Sequence, residues 1–459
     1  MAKKKQIELT IEEKLQNALV PKEEQPYKIP NNWCWTRLTF LSDLLTGNSI
    51  NAKEKENKYM NLSEGYNYIA TKDISFNSNI NYNNGVKIPF ENNFKIAKKN
   101  SSLLCIEGGS AGRKIGFLNQ DVCFVNKLCA FYPIKIEAKY LFYFLQSPIF
   151  NISFKEKMNG LIGGVSVAKL KDIPIILPPI NEQQRIVNRI ESLFVKLDRA
   201  KELIENTLAQ FEQNKMAILH KAFTGELTAK WRKEKGILKD TWKSMALENC
   251  GTWSGGGTPS MSCGDYWENG NIPWITSKDM KNIYIEKTQK YITEKGVECS
   301  SAKYIDKPAI LFVTRSGILR RIFPVCMVKI PFTVNQDLKV LVPSKMVCLE
   351  YLYWICIYKS NKILGTCMKS GTTVESISTD KLKKFKIPVP TIEEQQEIVN
   401  ILDKLLAKYN KIKNLEQQLE KIELLKKAIL AKAFRGELGT NNPDEESAEN
   451  LLKEILAEK

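Results

Sequence analysis

The sequence predicts an α+β protein: two mixed α/β globules separated by two long antiparallel helices that form an intramolecular coiled coil with pseudo-two-fold symmetry. Three observations carry this expectation. The chain repeats itself: Ile180-Asn-Glu-Gln-Gln-Arg-Ile-Val187 returns as Ile392-Glu-Glu-Gln-Gln-Glu-Ile-Val399, and Ile218-Leu-His-Lys-Ala-Phe-Thr-Gly-Glu-Leu227 returns as Ile429-Leu-Ala-Lys-Ala-Phe-Arg-Gly-Glu-Leu438. Between the paired motifs, apolar residues step by alternating fours and threes, the period of a helical seam. Before each helical run lies a stretch of similar size with short β-rich runs broken by Gly, Asn and Ser, as expected of mixed sheet domains.

In chain order, residues 1–24 read as an N-terminal helical segment. There Thr10-Ile-Glu-Glu13 has capping-box spacing for a helix running to Leu19, before Pro21. Residues 25–179 form the first globule, 180–238 the central helical spacer, 239–391 the second globule and 392–438 the second spacer. Residues 439–459 end in a helix whose apolar face is Leu451, Leu452, Ile455 and Leu456. The two terminal helices are expected to pack together and fill the place that Thr228 to Trp242 fills after the first spacer.

Each spacer announces its ends. Pro178 and Pro390 close preceding strands at Ile173 to Leu177 and Phe385 to Val389, and Asn181 with Gln184 and Thr391 with Glu394 have capping-box spacing. Gly225 and Gly436 stop the helices. A run from about 181 to 224 is roughly 66 Å long at 1.5 Å per residue. The seams are Ile186, Ile190, Leu193, Leu197, Ala200, Ile204, Leu208 and Phe211, and Ile398, Leu402, Leu405, Tyr409, Ile412, Leu415, Leu419, Ile422 and Leu425. One residue is gained or lost between Ala200/Ile412 and Ile204/Leu415, so the seam should be irregular at that level. Two matched seams in one chain have a high effective concentration for each other, which favours intramolecular pairing over pairing with a second copy. Antiparallel pairing would place the globules at opposite ends of a rod.

The globules agree only at framework positions. Tyr68-Ile-Ala-Thr-Lys-Asp-Ile74 matches Trp274-Ile-Thr-Ser-Lys-Asp-Met280, and Leu103-Leu-Cys-Ile106 matches Ile310-Leu-Phe-Val313. A basic pair follows each of these strands, Arg113-Lys114 and Arg320-Arg321. Phe124-Val-Asn126 matches Thr333-Val-Asn335, and Lys169-Leu-Lys171 matches Lys381-Leu-Lys383. Equal frames with unequal loops are what two readers of different targets require.

Composition narrows the partner. A net charge of +17 and a pI near 9.2 favour a polyanion, with nucleic acid ahead of a membrane surface. No run approaches the roughly 18 apolar residues of a membrane span. The basic start is not followed by a signal-peptide core, so a cytoplasmic protein is expected. Eleven cysteines without a Cys-x-x-Cys pair suit reduced, buried thiols, and the single histidine, His220, argues against a metal site.

No catalytic set emerges. There is no phosphate loop of the Walker type, no His-Glu-x-x-His, no nucleophile elbow, no Asn-Pro-Pro-Tyr/Phe adenine pocket and no Gly-rich methyl-donor loop. Neither catalytic residue nor cofactor is expected. Asp444-Glu445-Glu446 reads as a polar linker. Gly255-Gly-Gly-Thr-Pro259 fits either a backbone nest for phosphate or a plain tight turn. Gly109-Ser-Ala-Gly112 has the spacing of an RNA clamp, which Ser316-Gly-Ile-Leu319 does not keep. Gly371-Thr-Thr373 offers hydroxyls.

For reading a duplex the useful groups are Arg and Lys for guanine or phosphate, Asn and Gln for adenine, and Ser or Thr for either. The candidates are Thr71, Lys72, Arg113, Lys114 and Asn126 in the first globule. In the second they are Gly256, Thr258, Ser277, Lys278, Arg315, Arg320, Arg321, Gln336 and Thr372. Asp73 and Asp279 are expected to orient a neighbouring lysine or turn, because a carboxylate repels phosphate. Asn126 and Asn335 also admit a structural role.

On these residues the chain resembles the specificity subunit of a Type I restriction–modification enzyme. The likeness rests on the Pro-x-x-x-Glu-Gln-Gln openings at 178 and 390 and the Lys-Ala-Phe-x-Gly-Glu-Leu endings at 221 and 432. It also rests on Gly255-Gly-Gly-Thr-Pro259 followed by Ile272-Pro-Trp-Ile-Thr-Ser-Lys-Asp279. The resemblance implies two target recognition domains, each reading one half of a bipartite, asymmetric site on double-stranded DNA. It implies that the paired helices set the gap and dock two adenine-methyltransferase subunits, that restriction/translocase subunits join, and that this chain is not itself an enzyme. Gln183, Gln184, Phe223, Gln395, Gln396 and Phe434, in the repeated motifs, are the candidate partner contacts. The rival reading is a non-enzymatic coiled-coil adaptor with incidental basic charge.

Overall fold

Short β-rich runs in the first globule become ten described strands: β1 (Cys34–Arg37), β2 (Ser42–Thr46), β3 (Tyr66–Ile69), β4 (Lys87–Ile88), β5 (Ile96–Ala97), β6 (Ser102–Cys105), β7 (Ile115–Phe117), β8 (Val122–Phe124), β9 (Leu128–Pro133) and β10 (Pro174–Leu177). The second contributes β11 (Lys243–Ala246), β12 (Gly251–Gly255), β13 (Ile272–Ile275), β14 (Lys290–Ile292), β15 (Ala309–Val313), β16 (Val325–Val328), β17 (Thr333–Val334), β18 (Leu338–Pro343) and β19 (Lys386–Val389). The computed structural model describes residues 9–159, 163–370, 374–407 and 412–458. Residues 1–204 with 416–459 form one compact unit, and residues 205–415 form another. Each unit therefore holds one globule and a part of both spacers.

In the first unit the sheets run β1-β10, β2-β9-β6-β7 and β4-β3-β8-β5; in the second they run β11-β19, β12-β18-β15-β16 and β14-β13-β17. The frames match strand for strand, β5 excepted. Each third sheet carries one parallel pair, β3 with β8 and β13 with β17.

The registers correct two alignments. Phe124 lies opposite Ile69 and Val334 opposite Ile275, so Phe124 corresponds to Val334 and Asn126 to Gln336, not to Asn335. Leu104 pairs with Ile115 and Phe312 with Val325. Arg113-Lys114 thus lie directly before β7, whereas Ile322, Phe323 and Pro324 separate Arg320-Arg321 from β16. The second turn is longer, and buried Phe323 seals it. The two basic pairs are not equivalent.

In the first unit the Thr10 capping box forms: Thr10 accepts from the Glu13 amide, and Glu13 accepts from the Thr10 amide at 2.8 Å. The helix Ile11–Ala18 packs on the helix Ala448–Ala457, with Leu15, Ala18, Leu452, Ile455 and Leu456 in one core and Lys453 bound to Glu12 at 2.7 Å.

The first long helix is Ile180–Phe223, 44 residues. The second spacer is described as Ile392–Leu406 and Ile412–Ala433. Tyr409 and the rest of 408–411 lie outside the described residues, so the expected irregularity falls partly beyond them. Within the first unit the pairs Asp198–Lys426 and Lys201–Glu423 run in opposite order, which makes the two helices antiparallel. In the second unit Leu219, Ala222 and Phe223 share a core with Ile398, Leu402 and Leu406.

The helix starts differ from the capping boxes expected. The first helix begins at Ile180, which places Asn181 inside the first turn, and Gln184 donates along the helix to Asn188 at 3.1 Å. Thr391 does accept from the Glu394 amide, but the Glu394 carboxylate turns into the second unit's core. Among the described residues no helix is long and apolar enough to cross a membrane.

Candidate nucleic-acid interface

The carboxyl ends of a parallel strand pair open onto one surface, so residues two or three positions beyond each strand become neighbours. In the first unit these are Thr71 and Lys72 after β3 and Asn126 after β8. Lys72 and Asn126 are exposed and Thr71 is half-buried. Asp73 fixes the turn: its carboxylate accepts from the Ala70 amide and from Asn84 Nδ2, both at 2.8 Å. Lys114 Nζ donates to the Thr71 carbonyl at 3.0 Å, and Arg113 donates to the Gly109 carbonyl. Lys114 is thereby drawn to the end of β3, while Arg113 is held within its own turn.

The second unit repeats the arrangement with other side chains. Asp279 accepts from the Thr276 amide and hydroxyl, each at 2.8 Å, and Ser277 and exposed Lys278 follow β13. Both aspartates serve the turn, as their charge requires. Gln336 is exposed after β17, and its Oε1 accepts from the Thr258 hydroxyl at 2.5 Å. Arg315 is exposed beyond β15, next to Thr314, whose hydroxyl and amide both bind the Asp337 carbonyl. Glu107 holds the place of Arg315 in the first unit: each is bridged to the late segment of its globule, Glu107 to Gly164 and Arg315 to Ser376. Arg320 is tied to Glu375 in an ion pair that holds the carboxyl below its ordinary range. Arg321 is exposed and lies in the same turn. Thr372, with Gly371 and Thr373, lies outside the described residues.

The glycine run is explained by close approach. A Cβ on Gly256 would sit 1.8 Å from the Val334 carbonyl oxygen, and one on Gly47 would sit 1.9 Å from the Phe124 oxygen. The Gly257 amide donates to that Val334 carbonyl at 3.0 Å. That amide is therefore spent on the strand, and the segment is a tight strand-to-loop passage that seats Thr258 beside Gln336. Asn335 is buried, with its amide on the Ile275 carbonyl and its side chain on Asp337, a structural role.

The repeated helix motifs meet the chain's own interior. Gln183 is fully buried: its Oε1 accepts from the Glu137 amide at 2.9 Å, and its Nε2 donates to the Pro178 carbonyl at 2.9 Å. Gln395 does the same with the Cys348 amide at 2.8 Å and the Pro390 carbonyl at 2.9 Å. Glu137 and Cys348 are the N-caps of the helices Ala138–Phe144 and Leu349–Tyr358, so each glutamine anchors a globule to the start of its spacer. Phe434 packs on Tyr140 and Phe144, and Phe223 on Tyr351 and Tyr358. Gln183, Gln395, Phe223 and Phe434 are thus core residues and offer no side-chain surface to a partner. Gln184 and Gln396 are exposed.

Composition alone did not single out two buried carboxylates. Glu182 accepts from the Thr440 hydroxyl at 2.6 Å and from Arg185, which also reaches Glu445 at 2.6 Å. Glu394 accepts from the Thr228 hydroxyl at 2.6 Å, from Arg232 and from the Trp242 indole at 2.9 Å. The signal available was a glutamate at the same place in both motifs, with a threonine shortly after both helix ends. Glu445, read as part of a linker, is one half of the first of these nodes.

All eleven cysteines are free; burial pushes the Cys129 thiol up to about 12. Among the described residues no group of His, Cys, Asp or Glu is placed to hold a metal ion.

A two-part chain with one sheet frame used twice and polar loops at matching strand ends agrees with what comparison finds. The model of the Type I restriction modification DNA specificity domain matches residues 30–212 and 239–424, and the chain belongs to that family. It is 40% identical over 204 residues to the Type I restriction enzyme EcoR124I/EcoR124II specificity subunit of Escherichia coli, across 42% of this chain and 50% of that one. To the MjaIX specificity subunit of Methanocaldococcus jannaschii it is 34% identical, across 41% of this chain and 43% of the relative. These two matches span about half the length of the relatives. The StySPI specificity subunit of Salmonella potsdam aligns at 24% identity over 94% of this chain and 96% of its own. A solved structure from work on complex assembly and conformational transition of the type I R-M system shares the fold. It has a TM-score of 0.66 at 19% identity and covers 90% of this chain and 100% of its own.

Proposed function

We propose that this chain is the DNA-specificity subunit of a Type I restriction–modification complex and that it is not itself an enzyme. Each globule reads one half of a bipartite, asymmetric site on double-stranded DNA, and the paired helices hold the readers a fixed distance apart. The observation that carries this reading is the pair of like frames with unlike side chains at the same strand ends. Asn126 faces out where Gln336 does, and Glu107 stands where Arg315 stands. Direct readout depends on such donor and acceptor differences, while Lys72, Lys278 and the net charge of +17 supply phosphate attraction.

The spacers act as an antiparallel coiled coil. At roughly 66 Å for the first helix, they set a gap between one and two duplex turns of about 34–36 Å each. Two adenine-methyltransferase subunits dock along the spacers, with Gln184 and Gln396 among their exposed contacts, and restriction/translocase subunits join that assembly. The methylating partners flip the target adenine out of the stack.

Base-resolution mapping of methylated adenine in cells with and without the gene tests the reading. A split motif should appear only with the gene, and exchanging residues 25–179 for those of a relative should change one half of the motif alone. Methylation indifferent to this chain, or both halves changing together, refutes it.

A further inference from the structure

The first unit exposes an aromatic ring in the middle of its candidate reading surface. Phe76 is 62% exposed, and it sits at the tip of a hairpin bounded by the bridge between Ile74 and Ile80. The hairpin is well fixed. The Ser75 amide donates to the Asn79 carbonyl at 2.9 Å, the Asn79 amide donates to Ser75 Oγ at 3.1 Å, and Asn81 donates to the Asp73 carbonyl at 2.8 Å. Ile74 is fully buried beneath it, and Ile80 lies so close to Gly116 that a Cβ there would be 2.5 Å away. Two cations lie over the ring: the Arg113 guanidinium at 5.5 Å and the Lys114 ammonium at 5.2 Å from its centre.

We infer that Phe76 is an apolar wedge that enters the DNA stack at one base step of the first half-site, while Arg113 and Lys114 bind the phosphates on either side. The inference rests on the reading of this chain as a DNA-specificity subunit and adds a mode of recognition to it. An exposed ring with two positive charges close by meets what a kinked duplex presents, an apolar stack edge bordered by anions. The cost of deforming that step becomes part of the sequence preference of the first half-site.

The test uses the full chain, co-expressed with its methylating partners, on cognate duplexes carrying 2-aminopurine at successive positions of the first half-site, leaving in place the adenine that the partners flip. The wild type should brighten one position several-fold. F76A, which removes an exposed side chain, should lose that signal and relax methylation at the same step, whereas F76W should retain both. A split methylated motif with no brightened position, or with brightening unchanged in F76A, overturns the wedge alone. Absence of any split motif with the wild-type chain overturns both the wedge and the reading beneath it.

Discussion

Arg232 and Glu394, 162 residues apart in sequence, meet at 2.5 Å inside the second unit, the glutamate fully buried. The same guanidinium donates to the Gly225 carbonyl at 2.5 Å, where a left-handed glycine (φ 83°) ends the first long helix. Thr228 and Trp242 fill the remaining acceptor positions of the carboxylate. One carboxylate therefore joins the end of one spacer to the start of the other.

Removing that carboxylate strands a buried cation. E394A should destabilise the second unit by about 3–5 kcal/mol, as broken buried pairs do. E394Q, which can still accept from Thr228, should cost less. Chemical denaturation that finds E394A as stable as the wild type would show the node to be solvated.

The corresponding node in the first unit predicts a pH dependence. Hydrogen bonding from Arg185 holds Glu445 below its ordinary 4.5, so its stabilising effect is present above that value and fades as pH falls. Burial raises Glu182 above 4.5, so its contribution is present in acid and disappears as pH rises through the folded value. The two slopes oppose each other. E445Q should therefore blunt acid destabilisation, and E182Q should sharpen it. Urea midpoints measured between about pH 3 and 7 decide the signs.

The phenylalanines of the repeated endings separate core from partner surface. F223A and F434A each delete a buried ring and should cost about 3–5 kcal/mol. Q184A and Q396A should leave stability within about 0.5 kcal/mol but weaken co-purification with methylating subunits. Normal melting of F223A with failed co-purification would return Phe223 to the partner surface.

Gly256 has no room for a side chain. G256A should force β12 and β17 apart, cost about 1–3 kcal/mol by overpacking and displace Gln336, relaxing recognition at the second half-site only. G317A, where a Cβ meets nothing within 4 Å, serves as the control. Equal melting temperatures for the two variants would contradict the close approach.

The helices were legible because their period and stop signals are local. Pro178, Gly225 and Gly436 mark ends that the structure keeps within two or three residues. The paired frames were legible as repeats, but their register was not. Insertions between β15 and β16 moved Arg320-Arg321 away from the place of Arg113-Lys114, and spacing within a loop carries no hydrogen-bond information. Sequence likewise marked Gln183, Gln395, Phe223 and Phe434 as important without saying to what. Repetition in a motif reports a shared constraint, and here the constraint is docking of the globule on its own helix. Phe76 escaped notice because one phenylalanine in a polar loop looks like any other until its exposure and its two cationic neighbours are seen.

The core under Tyr140 and Phe144 is finished by Phe434, and the terminal helix adds Leu452 and Ile455 to the same cluster. During synthesis the first globule must therefore wait, its central cavity unfilled, while the whole of residues 205–415 leaves the ribosome. The second globule receives Phe223 before its own translation begins. The earlier-made reader is the later one to mature, and a chain interrupted between residues 415 and 430 would carry one finished head and one open one.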